Sequence, residues 1–390
     1  MIIPPAQRLA QVEEYYFARK LAEIRRRTAA GENIINLGIG SPDLMPSEDT
    51  LKELISSALE PGHHGYQPYR GIPQLRTAFA DWYMNTYGVT LDPEQEILPM
   101  IGSKEAIFHI SMAFLNPGDR VLIPDPGYPT YTSVTHLAGG VPVYYPLTQA
   151  NGWYPDFEAL AATDLTGVKI MWVNYPHMPT GAPATYALFE QLIAFGRTHG
   201  ILICHDNPYS LILNPEPMSI LSVPGARDVA LELNSLSKSH NMAGWRIGLA
   251  AGRADYLNEV LRVKSNMDSG MFLPMQQAAV KALANPGAWH QERNEEYRQR
   301  RLIVMEMMRS LGCAFDEKQT GMFLWGQIPS YADSGEAFSE ELLNQIQVFI
   351  TPGFIFGPAG QRYIRISLCA SRKRLQEALG RILEYQLARA

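Results

Sequence analysis

Short apolar segments, mostly separated by stretches long enough to form a helix, follow one another through the middle of this 390-residue chain. Each segment has the length and the apolar composition of a buried strand. A repeated succession of strand, helix and strand favours a largely parallel sheet that is covered by helices on both faces. The predicted strands span residues 121–123, 141–144, 169–173, 201–204 and 247–250.

The pattern changes near residue 280. A long charged stretch at 289–311 predicts a helix, and strand signals follow at 322–325 and 363–367. Residues 7–30 also have helical character. No flexible linker is evident, so a cleft between two domains is the expected place for a ligand. The predicted parts are an N-terminal helix and arm that belong to the small domain (1–40), a large domain (41–280) and a small α+β domain (281–390).

The charge of the chain limits its partners. The formal net charge is -6 and no block of Lys and Arg occurs, which excludes the electrostatic footprint of a nucleic-acid or anionic-membrane binder. No stretch approaches the roughly 20 apolar residues that span a bilayer. Cys204, Cys313 and Cys369 are scattered, so they predict neither a disulfide scaffold nor a metal site. We expect a cytoplasmic protein whose partners are small metabolites.

A lysine among hydroxyl side chains is the most informative local feature. Lys238 offers an amine that can form an imine with an aldehyde. Ser235, Ser237 and Arg246 offer hydrogen-bond donors for a phosphate. This combination suits an anchored phospho-aldehyde, although a solvated loop with an incidental lysine is the alternative for so short a pattern.

A second motif follows the predicted strand that ends at Cys204. Asp206 therefore lies at the carboxyl end of a strand, where open α/β sheets bind ligands. A carboxylate there can keep a pyridinium nitrogen protonated, and Tyr209 can reach a phenolic oxygen on the same ring. The alternative is an aspartate that caps a helix and a tyrosine that packs against it.

Two further segments lie next to predicted strands or helices. Residues 101–106 precede an apolar helical stretch, and the free amides at the start of a helix can bind phosphate. Residues 125–131 contain Tyr128, whose ring can stack on a planar group. Taken alone, the first segment is an ordinary helix start and the second is a turn marked by proline and glycine.

In their order and spacing these segments resemble the class I and II aminotransferases, which are fold-type I pyridoxal 5′-phosphate (PLP) enzymes. Their joint occurrence over nearly the whole chain leaves the separate alternatives little room. The resemblance implies an α/β fold, with a mostly parallel, seven-stranded sheet between helices in the large domain and a smaller α+β domain. The matching segments are 37–43, 66–73, 102–104, 179–181, 206–209, 235–246 and 351–367.

The resemblance implies that Lys238 is the lysine that forms the Schiff base with PLP and later moves a proton at the substrate Cα. Asp206 would pair with the pyridine nitrogen, and Tyr209 would donate to the phenolic oxygen. Tyr128 would stack on the ring. The residues implied around the phosphate are Ser103 and Lys104, largely through their backbone amides, together with Ser235, Ser237 and Arg246.

The resemblance also implies how substrate and subunits meet. Arg365 would hold the substrate α-carboxylate with its bidentate guanidinium, and Gly40 would let the chain approach the same group. Tyr66 would reach the phosphate of the neighbouring subunit, which implies a homodimer with shared active sites. The segment 264–270 is most similar to branches that include LL-diaminopimelate and alanine aminotransferases, and it does not fix a substrate.

The implied reaction moves an amino group from an α-amino acid to a 2-oxo acid in a ping-pong cycle. One residue departs from the family pattern. An asparagine usually precedes the Pro-Thr-Gly matched at 179–181 and donates a second hydrogen bond to the phenolic oxygen, whereas this chain has Met178, preceded by His177. A PLP-dependent lyase or oxidase on the same fold is therefore the alternative.

Overall fold

The computed structural model describes residues 2–12 and 16–388. The strands are β1 (Ile35–Asn36), β2 (Ile97–Met100), β3 (Arg120–Asp125), β4 (Val141–Pro146), β5 (Val168–Val173), β6 (Leu202–Asp206), β7 (Ala230–Ser235), β8 (Gly248–Gly252), β9 (Phe323–Gln327), β10 (Val348–Phe349), β11 (Thr351–Pro352) and β12 (Tyr363–Ser367). The helices are α1 (Tyr16–Ala29), α2 (Glu48–Ala58), α3 (Pro73–Tyr87), α4 (Ser103–Phe114), α5 (Pro129–Leu137), α6 (Phe157–Ala161), α7 (Tyr186–His199), α8 (Ala226–Val229), α9 (Leu236–Ser239), α10 (Ala254–Lys264), α11 (Leu273–Leu283), α12 (Gly287–Ser310), α13 (Gly335–Ile346) and α14 (Arg372–Leu387).

Seven strands form the main sheet, in the order β2-β8-β7-β6-β5-β3-β4. Strand β8 runs antiparallel to both of its neighbours, and the other pairs are parallel. The predicted seven-stranded, mostly parallel sheet between helices is therefore confirmed. Each of the five predicted strands overlaps an observed strand, whereas β2 and β7 were not predicted.

Apolar side chains cover both faces of this sheet. One core contains Phe79 and Phe189, and the other contains Ile107 and Leu231. A separate core that includes Trp325 lies against the antiparallel sheet β11-β12-β9. Two cores on one sheet and a third on another are the packing expected of a large and a small unit.

The ends of the chain meet in the smaller unit. Strand β1 pairs in parallel with β10. The pairing joins residues 35–36 to residues 348–349, and the grouping of residues 1–40 with residues 281–390 stays a prediction. Within the predicted helical stretch 7–30, a 3-10 turn spans Gln7–Gln11 and helix α1 follows. Residues 13–15 of that stretch lie outside the described residues.

Local capping fixes where the central strand of the site begins. Helix α7 starts after Thr185, whose side chain accepts a hydrogen bond from the amide of Leu188. The helix ends at Gly200, which has a φ of 65° and so adopts the left-handed conformation that glycine tolerates best. Strand β6 follows directly and carries Asp206 as its last residue.

In the part of the chain that the structure describes, none of the helices combines the length and apolar character needed to cross a membrane.

Candidate active site

A cavity of about 500 Å³ is lined by residues at or just beyond the C-terminal ends of β5, β6 and β7, and by residues of β9 and β12. This edge of a parallel sheet is where α/β proteins bind ligands. The predicted site residues in the lining are Gly40, Ser103, Lys104, Tyr128, Asp206, Tyr209, Ser235, Ser237, Lys238, Arg246 and Arg365.

The cavity lining contains a buried carboxylate. Asp206 is 5% exposed, and its Oδ2 accepts a hydrogen bond of 3.1 Å from the hydroxyl of Tyr131. Its Oδ1 is also buried and has no hydrogen-bond partner among the described residues. Burial raises the pKa of this carboxyl to about 6. A cationic ring nitrogen beside Oδ1 would satisfy the oxygen and stabilise the charge.

Lys238 lies in the short helix α9, directly after β7. The side chain of Ser235 caps this helix by accepting a 3.0 Å hydrogen bond from the amide of Ser237. The amine of Lys238 donates to the carbonyl oxygen of Gly40. Burial, assisted by the positive charge of Arg365, lowers the pKa of the Lys238 amine. A lowered pKa increases the fraction of the amine that is neutral, and the neutral amine is the nucleophilic form.

An anion-binding corner surrounds the start of α4. Gly102 precedes this helix with a φ of 78°, and a Cβ atom built on it would lie 2.3 Å from Nη2 of Arg246. Glycine is therefore required for the guanidinium to approach the first turn. Nη1 of Arg246 also contacts the hydroxyl oxygen of Ser237 at 3.4 Å. Helix-start amides, a guanidinium and hydroxyl groups together suit a phosphate dianion.

Two tyrosines line the cavity together with Asp206. Tyr128 precedes α5, and its ring meets the ring of Tyr131 edge-on at 5.6 Å. Tyr209 is 9% exposed, and its ring centroid lies 5.8 Å from that of Phe323. Burial raises the pKa of both the Tyr128 and the Tyr209 hydroxyl. Both side chains are therefore neutral hydrogen-bond donors at neutral pH.

Arg365 is presented by β12 and is only 5% exposed. Its Nη2 donates to the carbonyl oxygen of Gly38 at 2.8 Å, and its Nη1 contacts Sδ of Met178 at 3.3 Å. The guanidinium lies 3.9 Å from the ring centroid of Phe323 and 4.7 Å from that of Phe356. Aromatic rings around a fixed guanidinium make a preorganised site for a carboxylate.

The loop at residues 38–43 accepts hydrogen bonds from both Arg365 and Lys238. The Gly38 carbonyl also accepts a 3.0 Å hydrogen bond from the hydroxyl of Thr351. A Cβ atom built on Gly40 would lie 2.3 Å from Cζ of Phe323, so only glycine fits at this close approach. Asp43 forms an ion pair with Arg300, which is 2% exposed on α12. The loop therefore contacts both Lys238 of the large unit and residues of the smaller unit.

The residue that departs from the family pattern faces the cavity. Met178 is 6% exposed, and its backbone amide donates to Oδ1 of Asn174 at 2.8 Å. His177 is turned toward Thr180, with 2.7 Å between Nδ1 and the hydroxyl oxygen, and it does not line the cavity. Burial lowers the pKa of His177 to about 3, so its imidazole is neutral.

Tyr66 differs from the other predicted site residues. It lies in the turn between α2 and α3, it is 93% exposed, and it does not line the cavity of its own chain. The role of Tyr66 at the phosphate stays a prediction.

The sequence motifs did not identify several residues of the site. Asn174 directly follows β5 and donates to the backbone oxygen of Asp206, and its position at a strand end was a usable signal. Tyr131 lies within the predicted segment 125–131, but nothing in the sequence indicates that its hydroxyl donates to Asp206. Phe17 and Leu21 reach the cavity from α1, which no local motif marks.

A cluster of potential metal ligands lies outside this cavity. Ligand atoms of Glu105, His109 and Asp268 lie within 4.8 Å of one another. The ammonium of Lys264 already pairs with Asp268 at 2.6 Å. We therefore interpret the cluster as an ion-pair network, and the absence of a metal site stays a prediction.

Known proteins resemble this chain over nearly its whole length. The family model for aminotransferase class I and II matches residues 32–382. LL-diaminopimelate aminotransferases from Moorella thermoacetica and Desulforudis audaxviator are 42% and 43% identical to it, over 97% of this chain and 97% and 96% of theirs. The substrate-bound structure of BacF from Bacillus subtilis has a TM-score of 0.94 at 34% identity, over 99% of this chain and 98% of that one. The chain therefore belongs to the class I and II aminotransferases, the PLP-dependent enzymes that its sequence pattern resembles.

Proposed function

We propose that the 500 Å³ cavity is the PLP site of this aminotransferase, and that the buried Oδ1 of Asp206 receives the pyridine nitrogen. Family membership establishes the activity and the cofactor, whereas the roles of individual residues are our proposal. The unsatisfied, buried carboxylate oxygen carries this proposal, because burial of such a group is costly unless a charged partner binds there.

The residues fit the other groups of the cofactor. Lys238 would hold the aldehyde carbon, and Arg246 with the start of α4 would hold the phosphate. Tyr209 would donate to the phenolic oxygen, and Tyr128 would pack on the ring. When bound, PLP supplies an electron sink for the bond broken at the substrate Cα. The Lys238 amine would be the base that moves the proton between the substrate Cα and C4′ of the cofactor.

Arg365 would bind the α-carboxylate of both the amino acid and the 2-oxo acid. The carboxylate would replace the carbonyl of Gly38 as the acceptor of the guanidinium. Because Arg365 is fixed among aromatic rings, little side-chain entropy is lost when the substrate binds. This arrangement orients Cα toward Lys238, as proton transfer requires.

We also propose that the enzyme is a cytoplasmic homodimer in which Tyr66 completes the site of the partner subunit. The exposure of the Tyr66 ring, which is 93%, supports this proposal because a large aromatic side chain gains from burial in an interface. Its hydroxyl would form a charge-assisted hydrogen bond with the phosphate of the partner subunit.

Mixed dimers test this arrangement. Homodimers of Lys238→Ala should be inactive, and homodimers of Tyr66→Ala should be impaired. Co-expression of the two variant chains should recover about one quarter of wild-type activity, because each heterodimer contains one intact site. Lys238→Ala mixed with Asp206→Asn is the matched control, since both residues belong to one chain's cavity and no intact site can form. Equal activity in the two mixtures would contradict a shared site.

Replacing Met178 by asparagine should lower the pKa of the Lys238 nitrogen once that nitrogen is joined to the cofactor. Asparagine would add a second donor to the phenolic oxygen, which needs protein donors most when the lysine nitrogen is unprotonated. One hydrogen bond to a charged group contributes about 1.5–3 kcal/mol, so the pKa could fall by roughly one to two pH units.

Titration of the cofactor absorbance against pH measures this pKa. Met178→Leu is the control, because it removes the thioether contact with Arg365 and adds no donor. If the asparagine and leucine variants titrate at the same pH, residue 178 does not reach the phenolic oxygen.

A further inference from the structure

We propose that the amino donor of this enzyme is an α-amino acid with a large, uncharged, apolar side chain, an inference that rests on the aminotransferase function proposed above. The relatives named LL-diaminopimelate aminotransferases would suggest a different donor, whose far end carries a second ammonium and a second carboxylate. The lining of the cavity favours the apolar donor.

The first argument is the wall next to Arg365. Phe17 and Leu21 lie one turn apart on α1 and both line the cavity, as do Ile39 and Phe356. The ring centroid of Phe17 lies 5.8 Å from the Arg365 guanidinium. A substrate whose α-carboxylate is bound by Arg365 therefore places its side chain within reach of apolar surface, and burial against such a surface stabilises an apolar group.

The second argument is the charge inventory of the cavity. Among the described residues that line it, the only carboxylate is Asp206, which is 5% exposed and faces the proposed pyridine site. A second ammonium on the substrate would thus find no counter-ion in the part of the lining that the structure describes. Burial of an unpaired charge is strongly unfavourable.

The cations of the lining are also accounted for. Lys238 and Arg246 serve the cofactor, and Arg365 serves the α-carboxylate. Lys104 is the second residue of α4, directly after Ser103 and therefore at the phosphate end. The cavity is lined on this side by apolar residues of α1 and by residue 39, and no arginine is among these lining residues. A second carboxylate on the substrate would need an arginine there.

The third argument is the space behind the wall. A second cavity of about 410 Å³ shares Phe17, Tyr128 and Phe356 with the first. Its described lining includes Phe354 and Ile355, and its charged member is Arg19. Beyond the shared aromatic rings the described lining is therefore mostly uncharged, and Arg19 is its one charged residue.

The test uses the holoenzyme and follows the cofactor absorbance in half-reactions with single amino acids. L-phenylalanine and L-leucine should react at least about tenfold more efficiently than LL-diaminopimelate and L-glutamate. A preference for LL-diaminopimelate would overturn the inference. A cofactor absorbance that no amino acid changes would instead overturn the aminotransferase function.

Calorimetric binding to the same holoenzyme gives a readout that does not depend on turnover. 3-Phenylpropionate should bind at least about tenfold more tightly than pimelate, a dicarboxylate with the chain length of LL-diaminopimelate. Equal or tighter binding of pimelate would overturn the inference even if the enzyme were inactive.

Variants at position 17 test whether the apolar wall next to Arg365 determines the preference for an apolar donor. Phe17→Ala should reduce the ratio of L-phenylalanine to L-alanine efficiency by at least about fivefold, and Phe17→Leu should restore part of it. Arg25→Ala, an exposed position on the same helix, is the control for disturbance of α1. A ratio that is the same in Phe17→Ala and Arg25→Ala would overturn the placement of the substrate side chain against Phe17.

Discussion

Replacing Lys238 by alanine is expected to slow amino-group transfer by a factor of about 10⁴ or more, while the protein keeps its fold. The variant loses both the amine that bonds to the cofactor and the group that moves the Cα proton. The fold should survive because the Lys238 amine makes only one hydrogen bond to protein among the described residues, to the Gly40 carbonyl. The cofactor should be retained in part through Arg246 and the start of α4.

Borohydride reduction followed by peptide mapping checks the assignment directly. In the wild type the label should appear on Lys238, and in Lys238→Ala no stable label should form. Lys52→Ala is the matched control, since Lys52 is an exposed lysine that pairs with Glu48 on α2. A label on any other lysine of the wild type would show that the catalytic amine has been misassigned.

Replacing Asp206 by asparagine should lower the rate of transfer by about 10²–10³-fold, because the pyridine nitrogen would lose the negative charge that keeps it protonated. The same substitution should stabilise the cofactor-free protein. Burial raises the pKa of Asp206 from an ordinary 3.8 to about 6, so the folded state holds a proton that the unfolded state releases between these values.

The sign of the pH dependence follows from this difference. As pH rises from about 4 to 6, the wild-type apoenzyme should lose stability, and above pH 6 it should remain about 3 kcal/mol less stable than it would be with a neutral group at position 206. Asp206→Asn should therefore exceed the wild type in free energy of unfolding at pH 8 and match it below pH 4. With PLP bound, the pyridinium compensates the charge and the order should reverse.

Urea denaturation of both forms across this pH range measures the effect. The exposed Asp81 gives a control substitution, Asp81→Asn, that should leave the difference between apo and holo forms unchanged. If Asp206→Asn is less stable than the wild type in the apoenzyme at pH 8, the carboxylate is satisfied by groups other than the cofactor.

Periodicity predicted those strands of the main sheet that are continuous apolar runs, such as β3 and β5. It did not predict β2, a strand of four residues at the edge of the sheet that contains Pro99. Proline is tolerated in edge strands. It missed β7, because Glu232 and Asn234 make the segment look polar. Both are buried: Glu232 accepts hydrogen bonds from Tyr83 and Ser219 in a network that only the folded chain assembles.

The candidate site was predictable where local chemistry marks it. Lys238 and Arg246 stand out by residue type and spacing, and Asp206 by its place after a strand. Phe17 could not be predicted, because contacts that are distant in sequence place α1 at the cavity, such as the pairing of β1 with β10 and the ion pair of Lys20 with Glu340. Contacts that depend on such long-range pairing leave no local pattern.

The loop at residues 38–43 has a consequence for redesign of the enzyme. Its carbonyl groups are hydrogen-bonded to both Lys238 and Arg365, and Asp43 ties it to Arg300. An insertion or deletion there would displace the lysine and the arginine together, so a library that varies the length of this loop would mostly yield inactive protein. Helix α1 reaches the same cavity through side chains alone. Diversity introduced at positions 17 and 21 can therefore alter the accepted side chain while the reacting groups keep their positions.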